Sequence, residues 1–260
     1  EELLRLVDFW QAVDRNNKPQ RNEHYVLGTE YWISNGNTIS IECYYKPYST
    51  VYDLSLVGNP TDENSYFSSG KGSASGLEIL YQFRKNKING WIGYSFSEIL
   101  REIDLNQDGV VDKSEKYQSN YNKPHSLNFV FNYKLSEKKK IDLGLTGIVT
   151  SGAPYTPVVG KVFSQGVEQY GSLEQPYLYL TNLYGDRNSA EYPTYFRTDI
   201  SLTKKGVLFK KPSEWKFQII NLTNNFNVLL YNWNHYASPS RVTAFSMFPL
   251  ILTFGVSLEL

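Results

Sequence analysis

The sequence lacks most of the residues from which catalytic and metal sites are usually built. Its 260 residues include one Cys, one Met and three His. The single Cys43 excludes an internal disulfide framework and any Cys-rich zinc site. His24, His125 and His235 stand far apart in the sequence, with no Cys or Glu at metal-ligand spacing. There is no G-x-S-x-G elbow, no P-loop and no G-x-G-x-x-G. Net charge is missing too: 26 Lys+Arg face 26 Asp+Glu, which leaves no surplus of cations to displace counterions from phosphates and argues against nucleic acid as a partner. No run of 18 apolar residues occurs, so no transmembrane helix is expected. No basic stretch followed by an apolar one opens the chain, so no signal peptide is expected within it. Aromatic residues, by contrast, make up 15% of the chain, with 21 Tyr, 14 Phe and 5 Trp. That abundance, in a chain only 41% hydrophobic, suits an all-β protein with one wet face.

Period-two alternation dominates the readable segments. At the C-terminus Leu250, Leu252, Phe254, Val256, Leu258 and Leu260 fall on one face, and Ile251, Thr253, Gly255, Ser257 and Glu259 on the other. Leu127, Phe129, Phe131, Tyr133 and Leu135 likewise oppose Ser126, Asn128, Val130, Asn132 and Lys134. Nine strands are expected, near 24–34, 38–52, 74–85, 89–99, 125–135, 140–150, 194–205, 214–231 and 247–260. Their connections alternate between short turns and long loops, the latter near 53–73, 100–124, 151–193 and 232–246. A soluble sandwich would also alternate, but with short loops at both ends. An outer-membrane barrel has tight turns at one end and long loops at the other, with apolar residues outward and polar ones inward. Glu30, Glu42, Lys46, Glu78, Arg84, Lys134, Asp142, Arg197, Asp199 and Gln218 all belong to the inward set. Each unpaired ion in a sandwich core would cost several kcal/mol, whereas an enclosed aqueous or plugged interior tolerates them. The expected fold is therefore all-β, an antiparallel transmembrane β-barrel section. Trp32, Tyr45, Tyr81, Trp91, Trp215 and Tyr231 are expected to form interfacial girdles.

Seven short segments, in order, resemble the C-terminal barrel of TonB-dependent outer-membrane receptors. They are His24-Tyr25-Val26-Leu27-Gly28-Thr29-Glu30, Ile41-Glu42-Cys43-Tyr44-Tyr45-Lys46, Gly72-Ser73-Ala74-Ser75-Gly76-Leu77-Glu78, His125-Ser126-Leu127-Asn128, Ser151-Gly152-Ala153-Pro154-Tyr155-Thr156, Arg197-Thr198-Asp199-Ile200 and Asn221-Leu222-Thr223-Asn224. The ending, residues 253–260, fits the barrel-assembly signal except that Leu260 replaces the usual aromatic. The resemblance covers residues 24–260 and implies the last nine strands of a 22-stranded barrel around an N-terminal plug, with residues 1–23 as part of an external loop. It further implies a receptor in the outer membrane of a Gram-negative bacterium, embedded in lipid. Such a receptor would import a scarce nutrient (siderophore, cobalamin or oligosaccharide class) with energy from the TonB system acting through the plug, and the barrel itself would not be an enzyme. Nothing in the chain resembles the plug, and an odd strand count points to a fragment. Under this reading Glu30, Glu42, Glu78, Arg84 and Arg197, charged and inward on several strands, are candidate plug-facing contacts. A smaller self-contained barrel (a porin or an outer-membrane enzyme) and a secreted calcium-binding β-domain are the alternatives.

Residues 104–115 carry a different signal. Asp104, Asn106, Asp108, Val110, Asp112 and Glu115 occupy the first, third, fifth, seventh, ninth and twelfth places of an EF-hand calcium loop, with Gly109 at the sixth, where the chain turns sharply. Four carboxylates so close would repel one another without a cation, so structural calcium is expected. The spacing of Phe96, Ile99, Leu100 and Ile103 allows an entering helical turn, but no exiting helix is evident. An acidic solvated turn is the bland alternative. Tyr155, Tyr170, Tyr177 and Tyr179, with Tyr184 and Tyr192, crowd the 151–193 loop and are candidates for stacking on a ligand; packing loops against one another is the competing role.

Overall fold

The computed structural model describes residues 18–54, 67–166, 177–234 and 236–258. Nine long strands run in chain order through one antiparallel sheet: β1 (Tyr25–Ser34), β2 (Asn37–Leu54), β3 (Phe67–Lys85), β4 (Ile88–Ile103), β5 (His125–Ser136), β6 (Ile141–Thr150), β7 (Tyr195–Leu208), β8 (Lys211–Ile220) and β9 (Ile251–Leu258). Each pairs with its sequence neighbours, and two short segments, Arg21–Asn22 and Lys116–Gln118, pair with β2 and β4. All nine expected strands are present. Among the described residues β1 and β9 do not pair with each other, so the sheet has two edges.

The connections sort by end. Tight turns join β1 to β2, β3 to β4, β5 to β6 and β7 to β8, with positive φ at Gly36, Asn86, Lys140, Phe209 and Lys210. At the opposite end lie the long connections, including residues 104–124, 151–194 and 221–250. The expected asymmetry is therefore observed. Two boundaries differ from expectation by more than four residues. The third strand begins at Phe67 instead of 74, because Ser68, Gly70 and Gly72 give no apolar alternation to read yet still pair with β2. The eighth stops at Ile220 instead of 231. Asn221 and Asn224 turn the chain with φ of 56° and 51°, and Val228–Asn234 joins a separate hairpin with Arg241–Ser246.

Pairing register shows how the faces are built. One row crosses the sheet through Phe83, Gly90, Phe131, Leu145, Ile200, Ile219 and Leu252. A row on the other face runs through Arg84, Asn89, Asn132, Gly144, Ser201, Gln218 and Thr253. The expected inward and outward sets thus remain on single faces from β3 to β9, and the pairs Leu77–Cys43–Leu27 and Glu78–Glu42–Gly28 carry them into β2 and β1, as a side-chain period of two requires where the register does not slip. No second sheet covers the apolar face among the described residues: Leu27, Leu252 and Phe254 are 80%, 63% and 67% exposed. Three of the expected girdle residues lie elsewhere. Trp32 pairs opposite Thr38 and Trp91 opposite Gln82 and Val130, which puts both on the charged face, and Tyr231 sits in the separate hairpin.

Candidate ligand-binding site

The described residues bury a hydrophobic cluster at the long-loop end, where Val51, Ile103, Leu105 and Tyr117 pack together with Tyr48 against them. A bulge in β2 between Tyr48 and Val51 builds it. The one extra residue shifts the alternation, so Tyr48, Val51 and Asp53 all share the charged face, paired with Gly72, Gly70 and Ser68. Gly70 lets the chains close up, since a Cβ there would lie 2.7 Å from Ile103 Cα and 2.2 Å from Glu102 O. Arg101 and Tyr117 are direct partners on the same face.

Asp53 is the hub of this end. Its Oδ1 accepts from Arg187 Nη2 at 2.7 Å, and its Oδ2 accepts from the Tyr117 hydroxyl at 2.8 Å and from Arg101 Nη1 at 3.4 Å. Arg101 Nη1 also donates to Tyr52 O at 3.1 Å. The Arg187 guanidinium lies 5.3 Å from the centre of the Tyr117 ring, within cation–π range. The Asp53 side chain is only 10% exposed. Burial, then the charge of Asp53, pushes the Tyr117 hydroxyl above its ordinary value, so it remains a donor.

Arg187 comes from the 151–194 connection, which is itself pinned down. Asn188 Nδ2 donates to Gln118 O at 2.8 Å, and Asn188 N to Thr156 Oγ1 at 3.2 Å. Pro154–Tyr155 pairs with Ala190–Glu191. Gly152 is needed beside that ladder, because a Cβ there would lie 1.6 Å from Tyr192 O. The ladder stacks three rings: Tyr155 and Tyr192 have centroids 4.5 Å apart, and Tyr231 lies 5.2 Å from Tyr192. Between the Asp53 hub and these rings is a cavity of about 380 Å³, lined by Arg101, Tyr117, Tyr155, Arg187, Asn188 and Tyr192 among others. Its size lies within the range of small-molecule sites.

Of the tyrosines singled out in the sequence, Tyr155 and Tyr192 line this cavity. Tyr184 does not; Tyr177 and Tyr179 belong to a hairpin strand, Tyr177–Tyr184, paired with Val158–Gly166, and Tyr170 lies outside the described residues. The sequence reading missed Asp53, Arg101, Tyr117 and Arg187. For Arg101 a signal existed, since the inward alternation of β4 runs on past residue 99 to reach it. Glu30, Glu42, Glu78, Arg84 and Arg197 share the charged face. Glu42 and Glu78 are direct cross-strand partners. Arg197 is held by a bidentate bond to Asp199, whose Oδ1 also accepts from Asn221 N at 2.8 Å. That pair anchors the corner after β8 and accounts for two of the resembling segments.

In residues 104–115, Asp104 accepts from Asp108 N and Gly109 N, Asn106 Oδ1 from Asp108 N, and Asp108 Oδ1 from Val110 N. Buried Glu115 accepts from Leu105 N, Asn106 N and Asp112 N. Gly109 has φ +90° with no atom near its Cβ position, so backbone conformation and not crowding calls for glycine there. The entering helical turn is absent: β4 continues as strand to Ile103, and a single 3₁₀ turn, Lys113–Glu115, leads out. Among the described residues no three His, Cys, Asp or Glu side chains gather as a metal-binding group.

This architecture is shared with known outer-membrane proteins. The chain is similar to the ferripyoverdine receptor of the outer membrane of Pseudomonas aeruginosa, solved bound to ferripyoverdine (12% identity, TM-score 0.54, covering 92% of this chain and 27% of that one). It is also similar to the receptor in the FpvAI–pyocin S2 complex (13%, 0.55, 94% and 28%) and to the outer membrane transporter YddB from Escherichia coli (10%, 0.57, 92% and 32%). At these identities the likeness defines the fold alone: an antiparallel sheet like a section of those proteins' barrels, with this chain spanning about three tenths of their length. No protein-family model and no curated protein matches the sequence.

Proposed function

We propose that this chain is the C-terminal barrel section of a TonB-dependent receptor in the outer membrane of a Gram-negative bacterium, importing a scarce nutrient into the periplasm. The observation that carries the reading is the two-faced wall: apolar side chains on one face and charged ones on the other across nine paired strands, with a tyrosine- and arginine-lined cavity at the long-loop end. The apolar face suits lipid; the charged face, with Glu30, Glu42, Glu78, Arg84 and Arg197, suits a plug through which the TonB system would act. The barrel performs no chemistry, and its loops capture ligand. Uptake by cells carrying the full-length receptor, with and without a functional TonB system, tests this. TonB-dependent growth on a limiting nutrient is expected, and recovery of the protein in the soluble fraction would contradict it.

Residues 104–115 bind structural calcium in this reading, through Asp104, Asn106, Asp108, the Val110 carbonyl, Asp112 and Glu115. The positive φ at the sixth place and the carboxylates turned back onto the loop's own N–H groups support it; an oxygen accepting one hydrogen bond retains a lone pair for a cation. Calorimetric titration of the full-length receptor should give saturable heat by millimolar calcium, and Asp104→Asn should remove it. A featureless titration would leave an acidic turn.

A further inference from the structure

The cavity at the long-loop end has a charge character that its walls do not neutralise. Two guanidinium groups line it, and among the described residues Asp53 is the one carboxylate in its lining. Each carboxylate oxygen of Asp53 is already engaged by an arginine, and Oδ2 also by the Tyr117 hydroxyl. Asp53 therefore fixes the two guanidiniums side by side while cancelling only one of their charges. A guanidinium has five N–H donors, yet among the described residues the protein engages one nitrogen of each. Arg187 Nε is buried with no acceptor. The arrangement is thus a preorganised positive site with unused planar donors, opening onto about 380 Å³ of space. The Tyr155 and Tyr192 rings, packed on one another with centroids 4.5 Å apart, line the same cavity and give it an aromatic surface suited to a ring.

We infer that this cavity takes a ring-bearing carboxylate, its carboxylate received by Arg101 and Arg187 and its ring packed against the Tyr155–Tyr192 pair. The inference rests on the receptor reading above and narrows it to ligands that carry such a group. Arginine suits a carboxylate because its fork matches two oxygens at once. Both guanidiniums are already held in place by Asp53, so little side-chain freedom remains to be lost on binding.

The test is calorimetry on the full-length receptor with two matched pairs of probes: galacturonate against galactose for a sugar ring, and 4-hydroxybenzoate against 4-hydroxybenzamide for an aromatic one. In at least one pair the acid should bind about ten-fold more tightly than its neutral partner or better, as a charge-assisted hydrogen bond implies; which pair responds identifies the ring. Replacing Asp53→Asn, Arg101→Gln and Arg187→Gln together removes the positive charge without stranding a buried ion, and should abolish the preference. Tyr192→Ala should weaken acid and neutral partner alike. Equal affinity within both pairs, no binding of either acid, or a preference that survives the triple variant would overturn the inference. Heat-modifiable migration of the same preparations reports barrel assembly separately: a folded barrel that does not discriminate refutes the carboxylate site alone, whereas a protein with no folded barrel form refutes the receptor reading.

Discussion

The two ends of the sheet are stabilised by different means. At the turn end, connections of two to four residues and strand pairing suffice, and residues such as Leu135 and Val207 remain exposed. At the long-loop end the chain buries Val51, Ile103, Leu105 and Tyr117, ties Asp53 to groups 48, 64 and 134 residues away, and encloses a cavity. Under the receptor reading the wall needs only alternation, because lipid on one side and water on the other would act as its solvents. The loop end has no such support and must build its own interior, which is where a binding site can be held rigidly.

The comparison can be broken first at Asp53. Asp53→Ala leaves two guanidiniums without their shared partner, and breaking a buried pair costs about 3–5 kcal/mol. Partial exposure of the arginines reduces this to about 2–4 kcal/mol. Hydrogen exchange should lose protection in residues 116–118 and 187–191 while β5 to β8 stay unchanged; uniform loss would mean that the two ends are not independent. Phe131→Arg attacks the wall instead. A cation on the lipid face near mid-strand costs about 2–4 kcal/mol, so yield of folded barrel in liposomes should fall, whereas Asn132→Arg on the other face should be tolerated.

A smaller effect follows from pH. The Tyr117 hydroxyl is raised above its ordinary 10.0 by burial and by Asp53. A group whose folded value exceeds its unfolded one contributes stability that is complete below the unfolded value and lost as pH climbs through the folded one. Protection at the loop end should therefore decline above about pH 10, and Tyr117→Phe should flatten that decline. The smallest effect belongs to the turn at 209–210. Phe209 and Lys210 hold φ of 51° and 62°, a region that costs an L-residue about 1–2 kcal/mol. Phe209→Asn with Lys210→Gly should stabilise the β7–β8 hairpin by about 1 kcal/mol without altering ligand binding.

The same contrast explains what could be read from the sequence. Strand number, end asymmetry and the two faces were legible because alternation is local: Leu127 to Leu135 announce their face without reference to any other strand. The hub was not legible. Asp53 and Arg101 lie at the ends of two strands and Tyr117 and Arg187 in two different connections, and the bulge before Val51 reverses the face that strict alternation would give Asp53. Tyr155 and Tyr192 were marked only as members of a tyrosine-rich loop, and the pairing that selects them from Tyr177 and Tyr179 is a contact between Pro154–Tyr155 and Ala190–Glu191. The Asn221 corner misled for a related reason. Its side chain bonds Asn225 O and Phe248 O, so a segment with strand-like composition becomes a turn.

The most direct measurement is a label scan along β5 in the full-length receptor reconstituted in liposomes. With Cys43, the chain's one cysteine, changed to Ser, single spin labels at positions 127 to 133 would be tested for relaxation by oxygen, which partitions into lipid, and by a water-soluble nickel chelate. Oxygen access should peak at 127, 129, 131 and 133, and nickel access at 128, 130 and 132. A scan without alternation, or one with the phases reversed, would contradict the assignment of one face to lipid and the other to an enclosed polar interior.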